Sequence, residues 1–157
     1  MKIHPIETYI RIRRFNKNSN KHLVMVCFST DMYKQDSDIV LYKYARDLIK
    51  RIFFSTGCQF SSTIEISNII HKRDVLIDLE ISFVNPKVQF PKESIINLFV
   101  LDDSLYDVEI KMKNGSKKLA DILVCNIFNN LNVKIDNRKR LSENNNITCT
   151  YCVRVLN

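Results

Sequence analysis

The chain has 157 residues, of which 45% are hydrophobic, and its 24 Lys and Arg outnumber 17 Asp and Glu, which gives a formal net charge of +7. This apolar content excludes a chain that is disordered throughout, and the positive charge favours a polyanionic partner, either nucleic acid or an anionic membrane surface. Ile, Asn and Lys are abundant whereas Gly and Ala are rare, a bias typical of AT-rich genomes, so not every surface Lys needs a functional explanation.

The sequence carries no signal for a membrane span, a secretory leader or a metal site. It has no run of about 18 apolar residues, and its start lacks the apolar core of a signal peptide and makes a poor transit peptide. The five cysteines are odd in number and are expected to be reduced. Cys149 and Cys152 form a lone CxxC within a strand-like segment, where residues three apart point to opposite faces. We therefore expect no metal and no cofactor.

The first half of the chain is expected to contain strands and one helix. Alternating residues 7–15 predict a strand, and the apolar run 23–29 predicts a buried strand. A helix follows, N-capped within residues 36–38, and Gly57 is suited to its C′ position. Its apolar face is formed by Leu41, Ala45, Leu48, Ile49, Ile52 and Phe53. Residues 63–70 and 75–84 predict a strand pair.

The second half is expected to alternate between helix and strand. Residues 92–101 predict a helix, and 107–113 predict a strand that ends at Asn114 and Gly115. Ser116 is the predicted cap of a third helix over 117–131, and residues 133–135 and 147–156 predict a strand pair around a solvated loop, 136–146.

This order predicts an α+β fold with a ferredoxin-like βαββαβ core over residues 22–114. An N-terminal basic extension with a strand, residues 1–21, precedes this core. A C-terminal extension of a helix and a strand pair, residues 115–157, follows it.

Three segments carry a resemblance to a known family: LVMVCFSTDMYKQDSDIVLYKYARDLIKRIFFSTG, CQFSSTIEISN and PKESIINLFVLDDSLYDVEIKM. In order and spacing, residues 22–113 resemble small-subunit ribosomal protein ten, a protein of the head of the small ribosomal subunit. The matching positions are Thr56, Gly57, Ser61, Ile64, Ile66, Pro91, Lys92 and residues 107–111. The chain departs from the family where HKRD replaces a long hairpin arm, and where Ser62, Thr63, Glu65 and Ser67 replace glycine and prolines.

The resemblance implies a structural constituent of the small ribosomal subunit that binds ribosomal RNA and neighbouring ribosomal proteins. It also implies a mitochondrial and organelle-encoded protein, otherwise a cytoplasmic one, with no small-molecule substrate and no membrane contact. Two alternatives stay open: a viral or parasite protein-interaction module that binds no nucleic acid, and a small acylphosphatase-like hydrolase. The link TDMYKQDSD argues against the hydrolase, because it is acidic and lacks the glycine of a phosphate loop.

Basic side chains that could meet phosphates form four clusters, although a solvated charged surface explains any single cluster equally well. They are Arg11, Arg13, Arg14, Lys17 and Lys21; Lys72 and Arg73; Lys111, Lys113, Lys117 and Lys118; and Arg138, Lys139 and Arg140. Tyr9 and Phe15 could stack on bases, but packing in the core is the favoured interpretation. No catalytic residue is predicted, and we interpret Asp102 and Asp103 as a solvated turn.

Overall fold

The computed structural model describes residues 7–14, 21–29, 38–53, 59–60, 65–71, 74–84, 91, 93–129 and 131–156. Within these ranges the chain forms nine strands and two helices. Their bounds are β1 Thr8–Arg14, β2 Lys21–Ser29, α1 Asp38–Phe53, β3 Gln59–Phe60, β4 Glu65–His71, β5 Asp74–Val84, β6 Glu93–Asp102, β7 Leu105–Lys113, α2 Lys117–Ile127, β8 Val133–Glu143 and β9 Asn146–Val155.

All the described strands join one antiparallel sheet with the order β3-β5-β2-β1-β6-β7-β9-β8, and β4 also pairs with β5. The first and sixth strands are therefore neighbours at the middle of the sheet, although about 80 residues separate them in the chain. Tight turns join the later strands, and Asn144 and Asn145 both take the positive φ that a two-residue hairpin turn requires.

Both helices pack on one face of the sheet, and the core lies between the two layers. Alternate residues of each strand face this core, for example Ile10 and Ile12 on β1, because side chains on a strand point to opposite faces in turn. The helices also contact each other, where the Asn126 amide Nδ2 donates a 2.7 Å hydrogen bond to the Ile52 carbonyl. No described element covers the opposite face, which carries Tyr9, Arg11 and Arg13 and is called the open face below.

Apart from the two-residue strand β3, the sheet consists of two halves with the same order of elements, strand–strand–helix–strand–strand. In the first half β1 pairs with β2, β2 with β5, and β5 with β4. In the second half β6 pairs with β7, β7 with β9, and β9 with β8. The pairing pattern is the same, and β1 meets β6 at the boundary between the halves.

The buried residues repeat as well. Both helices contain the pattern K-x-A-x-x-L-x-x-x-I-F, which begins at Lys43 in α1 and at Lys118 in α2. The Ala, Leu, Ile and Phe of both copies are buried, and these alanines are the only two in the chain. On the strands, the buried series Thr8, Ile10, Ile12 of β1 corresponds to Ser94, Ile96, Leu98 of β6.

A pseudo-twofold axis through the pair Ile10–Ile96 relates the halves. These two residues occupy the same position in their own half, and they are also cross-strand partners of each other. An antiparallel pair of equivalent strands has this symmetry because rotation about the axis exchanges the strands and reverses their direction. The chain therefore has the architecture of a dimer within one polypeptide.

The ferredoxin-like βαββαβ prediction is wrong, because its second helix does not exist. Residues 92–101 were expected to be helical, but residues 93–102 form β6 between β1 and β7, with Ser94, Ile96 and Leu98 buried at every second position. A short apolar run is ambiguous between helix and strand, and here pairing with two neighbouring strands decides in favour of the strand.

The C-terminal loop prediction is also wrong in part, since residues 136–143 extend strand β8 to the turn at Asn144 and Asn145. The third helix, predicted over 117–131, ends earlier, at Ile127. Other predictions are confirmed. Helix α2 begins after Ser116, whose hydroxyl accepts a 3.2 Å hydrogen bond from the Leu119 backbone N–H. The first strands, the apolar helix α1, and the terminal strand pair are present. The predicted cap at 36–37 and Gly57 lie outside the described residues.

Candidate nucleic-acid interface

The side chains of the open face stand in rows that cross the sheet, because cross-strand partners lie side by side. One row contains Arg13, Glu93 and Lys113 on β1, β6 and β7. The next row toward the middle of these strands contains Arg11, Ile95 and Lys111. We call the end of the sheet with the first of these rows the basic end.

Two cations of the open face contact the Glu93 carboxylate, and two more lie nearby in the same and the next row. Arg11 Nε donates a 3.0 Å hydrogen bond to Glu93 Oε1, and Lys113 Nζ lies 3.4 Å from Oε2. Arg13 is the direct cross-strand partner of Glu93, and Lys111 stands one row away. Since neighbouring strands are about 4.8 Å apart, the cations of β1 and of β7 lie about 10 Å apart on either side of β6.

Glu93 orders this cluster without neutralising it. Partial burial alone would raise the pKa of the Glu93 carboxyl, but the hydrogen bond and charge of Arg11 and the charge of Lys113 outweigh it and hold the pKa below its ordinary value. The carboxylate is therefore ionised at neutral pH. Glu109 forms a 3.4 Å ion pair with Lys111, so two carboxylates face four cations in this cluster. The side chains of Lys111 and Lys113 stay 52% and 60% exposed, so they can reach a ligand.

The start of α2 adds further cations at the basic end. Lys118 is exposed, and Lys117 is held by Asp121 through an ion pair of 2.8 Å. Lys117 and Arg140 line a shallow polar depression together with Ser116 and Asn145. Three of the clusters predicted from the sequence therefore have members at this end of the molecule, although Lys117 is already paired.

Other predicted residues lie elsewhere or are not described. Arg138 occupies the irregularity of β8 between two ladder pairs, and Lys139 lies on the open face opposite Thr150, away from the basic end. Arg14 and Lys21 belong to β1 and β2 at the basic end, but their side chains are outside the described part of the structure. Lys17, Lys72, Arg73 and Phe15 lie outside the described residues altogether.

The opposite end of the sheet has a different character. There the last part of β6 exposes Phe99, Val100 and Leu101, with Leu101 54% accessible. Asp102 and Asp103 follow in the turn, where the Asp103 N–H donates a 2.7 Å hydrogen bond to Asp102 Oδ1. This arrangement confirms the predicted solvated turn and places apolar and acidic groups together.

Sequence reasoning missed two features of the site. Tyr9 was expected to pack in the core, but it lies on the open face beside Asn97, its partner on β6. Glu93 was assigned to a helix, so its position between cations was not expected. The alternation Glu93, Ile95, Asn97, Phe99 along β6 could have found the position of Glu93, and the alternation Tyr9, Arg11, Arg13 along β1 could have placed Tyr9 on the polar face.

A buried polar link fixes α2 to the sheet. Tyr151 on β9 donates a 2.6 Å hydrogen bond to Asp121, which also holds Lys117. Burial raises the pKa of the Tyr151 hydroxyl, and the hydrogen bond to Asp121 raises it further, so Tyr151 stays protonated. Burial likewise raises the pKa of the neighbouring Cys149 thiol, which makes this cysteine unreactive.

The two cysteines of the CxxC lie on opposite faces of β9, as expected, because Cys149 faces the core and Cys152 does not. Among the described residues, no three His, Cys, Asp or Glu side chains come close enough together to hold a metal ion. Within the same ranges, neither helix has the length and apolar character needed to cross a membrane. No family model, no curated protein and no solved structure matches this chain.

Proposed function

We propose that this chain is a non-enzymatic RNA-binding protein that holds phosphate groups at the basic end of its sheet. The observation that supports the proposal is the grouping of four cations at the basic end: Arg11 and Lys113 on Glu93, Arg13 opposite Glu93, and Lys111 in the next row, where it is paired with Glu109. Cations contributed by different strands of one rigid sheet are fixed relative to one another, so little conformational entropy is lost when they meet phosphates.

A narrower form of the proposal places the chain in the small ribosomal subunit. It rests on the resemblance of the segments within residues 22–113, and it no longer has the support of a shared βαββαβ fold. Co-sedimentation of the tagged chain with small-subunit particles, in mitochondria or in the cytoplasm, is its test. A chain that never sediments with these particles would exclude the ribosomal form and leave RNA binding to be judged by the experiment below.

The decisive experiment compares two double variants that each remove two positive charges from the open face. Arg13→Ala/Lys113→Ala removes cations at the basic end. Lys134→Ala/Arg154→Ala removes an exposed cross-strand pair at the opposite end and is the matched control. Binding is measured by fluorescence anisotropy with a labelled RNA hairpin that carries a single-stranded tail, over a range of salt concentrations.

We expect the basic-end variant to bind more weakly and to lose about one unit of salt slope for each phosphate contact removed. The control is expected to keep the affinity and slope of the parent chain. Equal losses in both variants would show attraction by overall charge alone, and absence of binding by the parent at low salt would overturn the proposal. Far-ultraviolet circular dichroism checks that each variant is folded.

A further inference from the structure

The open face changes in chemistry along its central strands. The rows nearest the basic end contain cations, with Arg13 and Lys113 in the first and Arg11 and Lys111 in the second. The third row contains Tyr9 and Asn97, and the fourth contains Phe99. From Glu93 to Phe99 these rows extend over six residue steps along β6, or about 20 Å at the rise of a strand.

The third and fourth rows are suited to bases rather than to phosphates. Their neighbours on β7 are carboxylates, since Asn97 faces Glu109 and Phe99 faces Asp107. One oxygen of Glu109 is paired with Lys111, which leaves its other oxygen as an acceptor. A carboxylate repels a phosphate, but it accepts hydrogen bonds from the amino groups of bases. Tyr9 and Asn97 are cross-strand partners on this face, and Phe99 is 44% exposed, so two aromatic residues and an amide share one region of the sheet.

Acidic side chains also border the cationic rows. Asp78 and Glu80 on β5 stand opposite Met25 and Leu23 of β2, the strand next to β1. Glu143 lies in the row of Lys113 on the outermost strand, beyond Asn146. The cations thus form one strip between carboxylates, and the second phosphate strand of a duplex would meet negative charge on either side of it.

We propose that the RNA bound by this chain is single-stranded, with its phosphates on the cations of the basic end and its bases on Tyr9, Asn97 and Phe99. This inference rests on the proposed RNA binding and names its ligand. Exposed bases are available for stacking only in single strands, and each base stacked on an aromatic ring contributes substantially to affinity without demanding one sequence.

The test uses Tyr9→Leu/Phe99→Leu, a double variant that removes both rings but keeps apolar side chains. Its matched control is Leu141→Ala, which removes apolar surface from the far edge of the same face, where Leu141 is 53% exposed. The probes are a labelled single-stranded RNA of mixed sequence and the same strand annealed to its complement. Both are titrated by fluorescence anisotropy at several salt concentrations.

We expect the parent chain to bind the single strand more tightly than the duplex. The ring variant is expected to lose about tenfold or more in single-strand affinity for each ring that stacks on a base, with its salt slope unchanged. The control should match the parent. Because the rings carry no charge, an unchanged slope separates the loss of stacking from the loss of phosphate contacts in Arg13→Ala/Lys113→Ala.

Four other results are informative. Equal affinity for duplex and single strand, or a ring variant that binds like the parent, would overturn the single-strand inference while salt-sensitive binding still supported the proposed function. A duplex preferred over the single strand would do the same. If the parent binds neither probe at low salt, both proposals fall together, so the two failures are distinguishable.

Discussion

The first half of the chain, β1 to β5, and the second half, β6 to β9, share their buried residues but not their surface. Beside the pseudo-twofold axis, Ile10 and Ile96 are identical, whereas the next open-face positions are Arg11 in one half and Asn97 in the other. Arg13 likewise corresponds to Phe99. The same frame therefore presents cations on one strand and an amide and an aromatic ring on its equivalent.

This difference teaches that the two halves share a backbone framework, while their different open-face residues distinguish the two ends of the sheet. A symmetric sheet would offer the same chemistry at both ends. Here the exchange gives a basic end and an apolar, acidic end, and an RNA strand has a polarity that such a surface can follow. The predictions below test how far the two halves are equivalent, from the largest expected effect to the smallest.

Phe53→Ala and Phe128→Ala probe the equivalent aromatic residues at the ends of the helix repeats. Both side chains are almost completely buried, at 0% and 1% exposure, so each variant should lose about 3–5 kcal/mol of unfolding free energy. Phe128 also forms an edge-to-face pair with Tyr106, with ring centroids 5.1 Å apart. Urea denaturation measures the losses, and a loss below about 1 kcal/mol at either position would show that the halves do not share a core.

Asn126→Leu tests a side-chain contact that only α2 provides, since α1 has Arg51 at the position equivalent to Asn126. The buried Asn126 amide satisfies the Ile52 carbonyl near the end of α1, so the variant should lose about 1–3 kcal/mol of unfolding free energy. Asn129→Leu, at an exposed site just after α2, is the control and should change stability by less than about 0.5 kcal/mol. Equal effects would mean that the helix contact is not stabilising.

Ser116→Ala tests the cap that starts α2. Losing the acceptor for the Leu119 N–H should reduce the unfolding free energy by about 1 kcal/mol. Ser116→Asp keeps an acceptor and should restore most of the stability. Thermal unfolding followed by circular dichroism compares the three chains, and an aspartate variant as unstable as the alanine variant would rule out the capping explanation.

Asp121→Asn tests the polar link of the second half, which the first half lacks because Leu79 stands where Tyr151 does. Partial burial would raise the pKa of Asp121, but the hydrogen bonds from Lys117 and Tyr151 and the charge of Lys117 outweigh it and lower the pKa. The stabilisation is thus complete above the ordinary pKa of an aspartate, about 3.9, and is lost as the pH falls through the lower folded value.

We therefore expect the parent chain to lose stability relative to Asp121→Asn between neutral pH and strong acid, by less than about 1 kcal/mol because the ion pair is partly exposed. Urea unfolding at a series of pH values measures the difference. Parallel stability curves for the two proteins would show that Asp121 has no lowered pKa.

Much of the local structure was predictable from the sequence, but its assembly was not. Periodicity identified α1, α2 and most strands, because these segments have one clear apolar face. It failed for β6, where Ile95, Ile96, Phe99, Val100 and Leu101 are apolar on both faces. It failed again for the end of β8, an exposed edge strand that lacks an apolar face altogether.

The sequence predicted which charged residues form the candidate site, but not that they lie close together. The sequence around Arg11 and Arg13 does not indicate that Lys111 and Lys113 lie two strands away. Their proximity depends on the pairing of β6 with β1. The helix repeat was visible in the sequence as two copies of K-x-A-x-x-L-x-x-x-I-F. It was missed because the links between elements differ in length, so the strands do not repeat at the same spacing as the helices.

The pair Ile10–Ile96 also has a consequence for how the chain folds. Six ladder pairs join β1 to β6, and they close loops of 80 to 90 residues (93 − 13 and 98 − 8), whereas every other strand pairing lies within one half. Closing long loops costs entropy before their contacts form. Each half should therefore fold first, and the β1–β6 pairing between the halves should form last. Folding kinetics of Ile10→Val and Ile96→Val would then show φ-values near zero, with faster unfolding and unchanged folding rates.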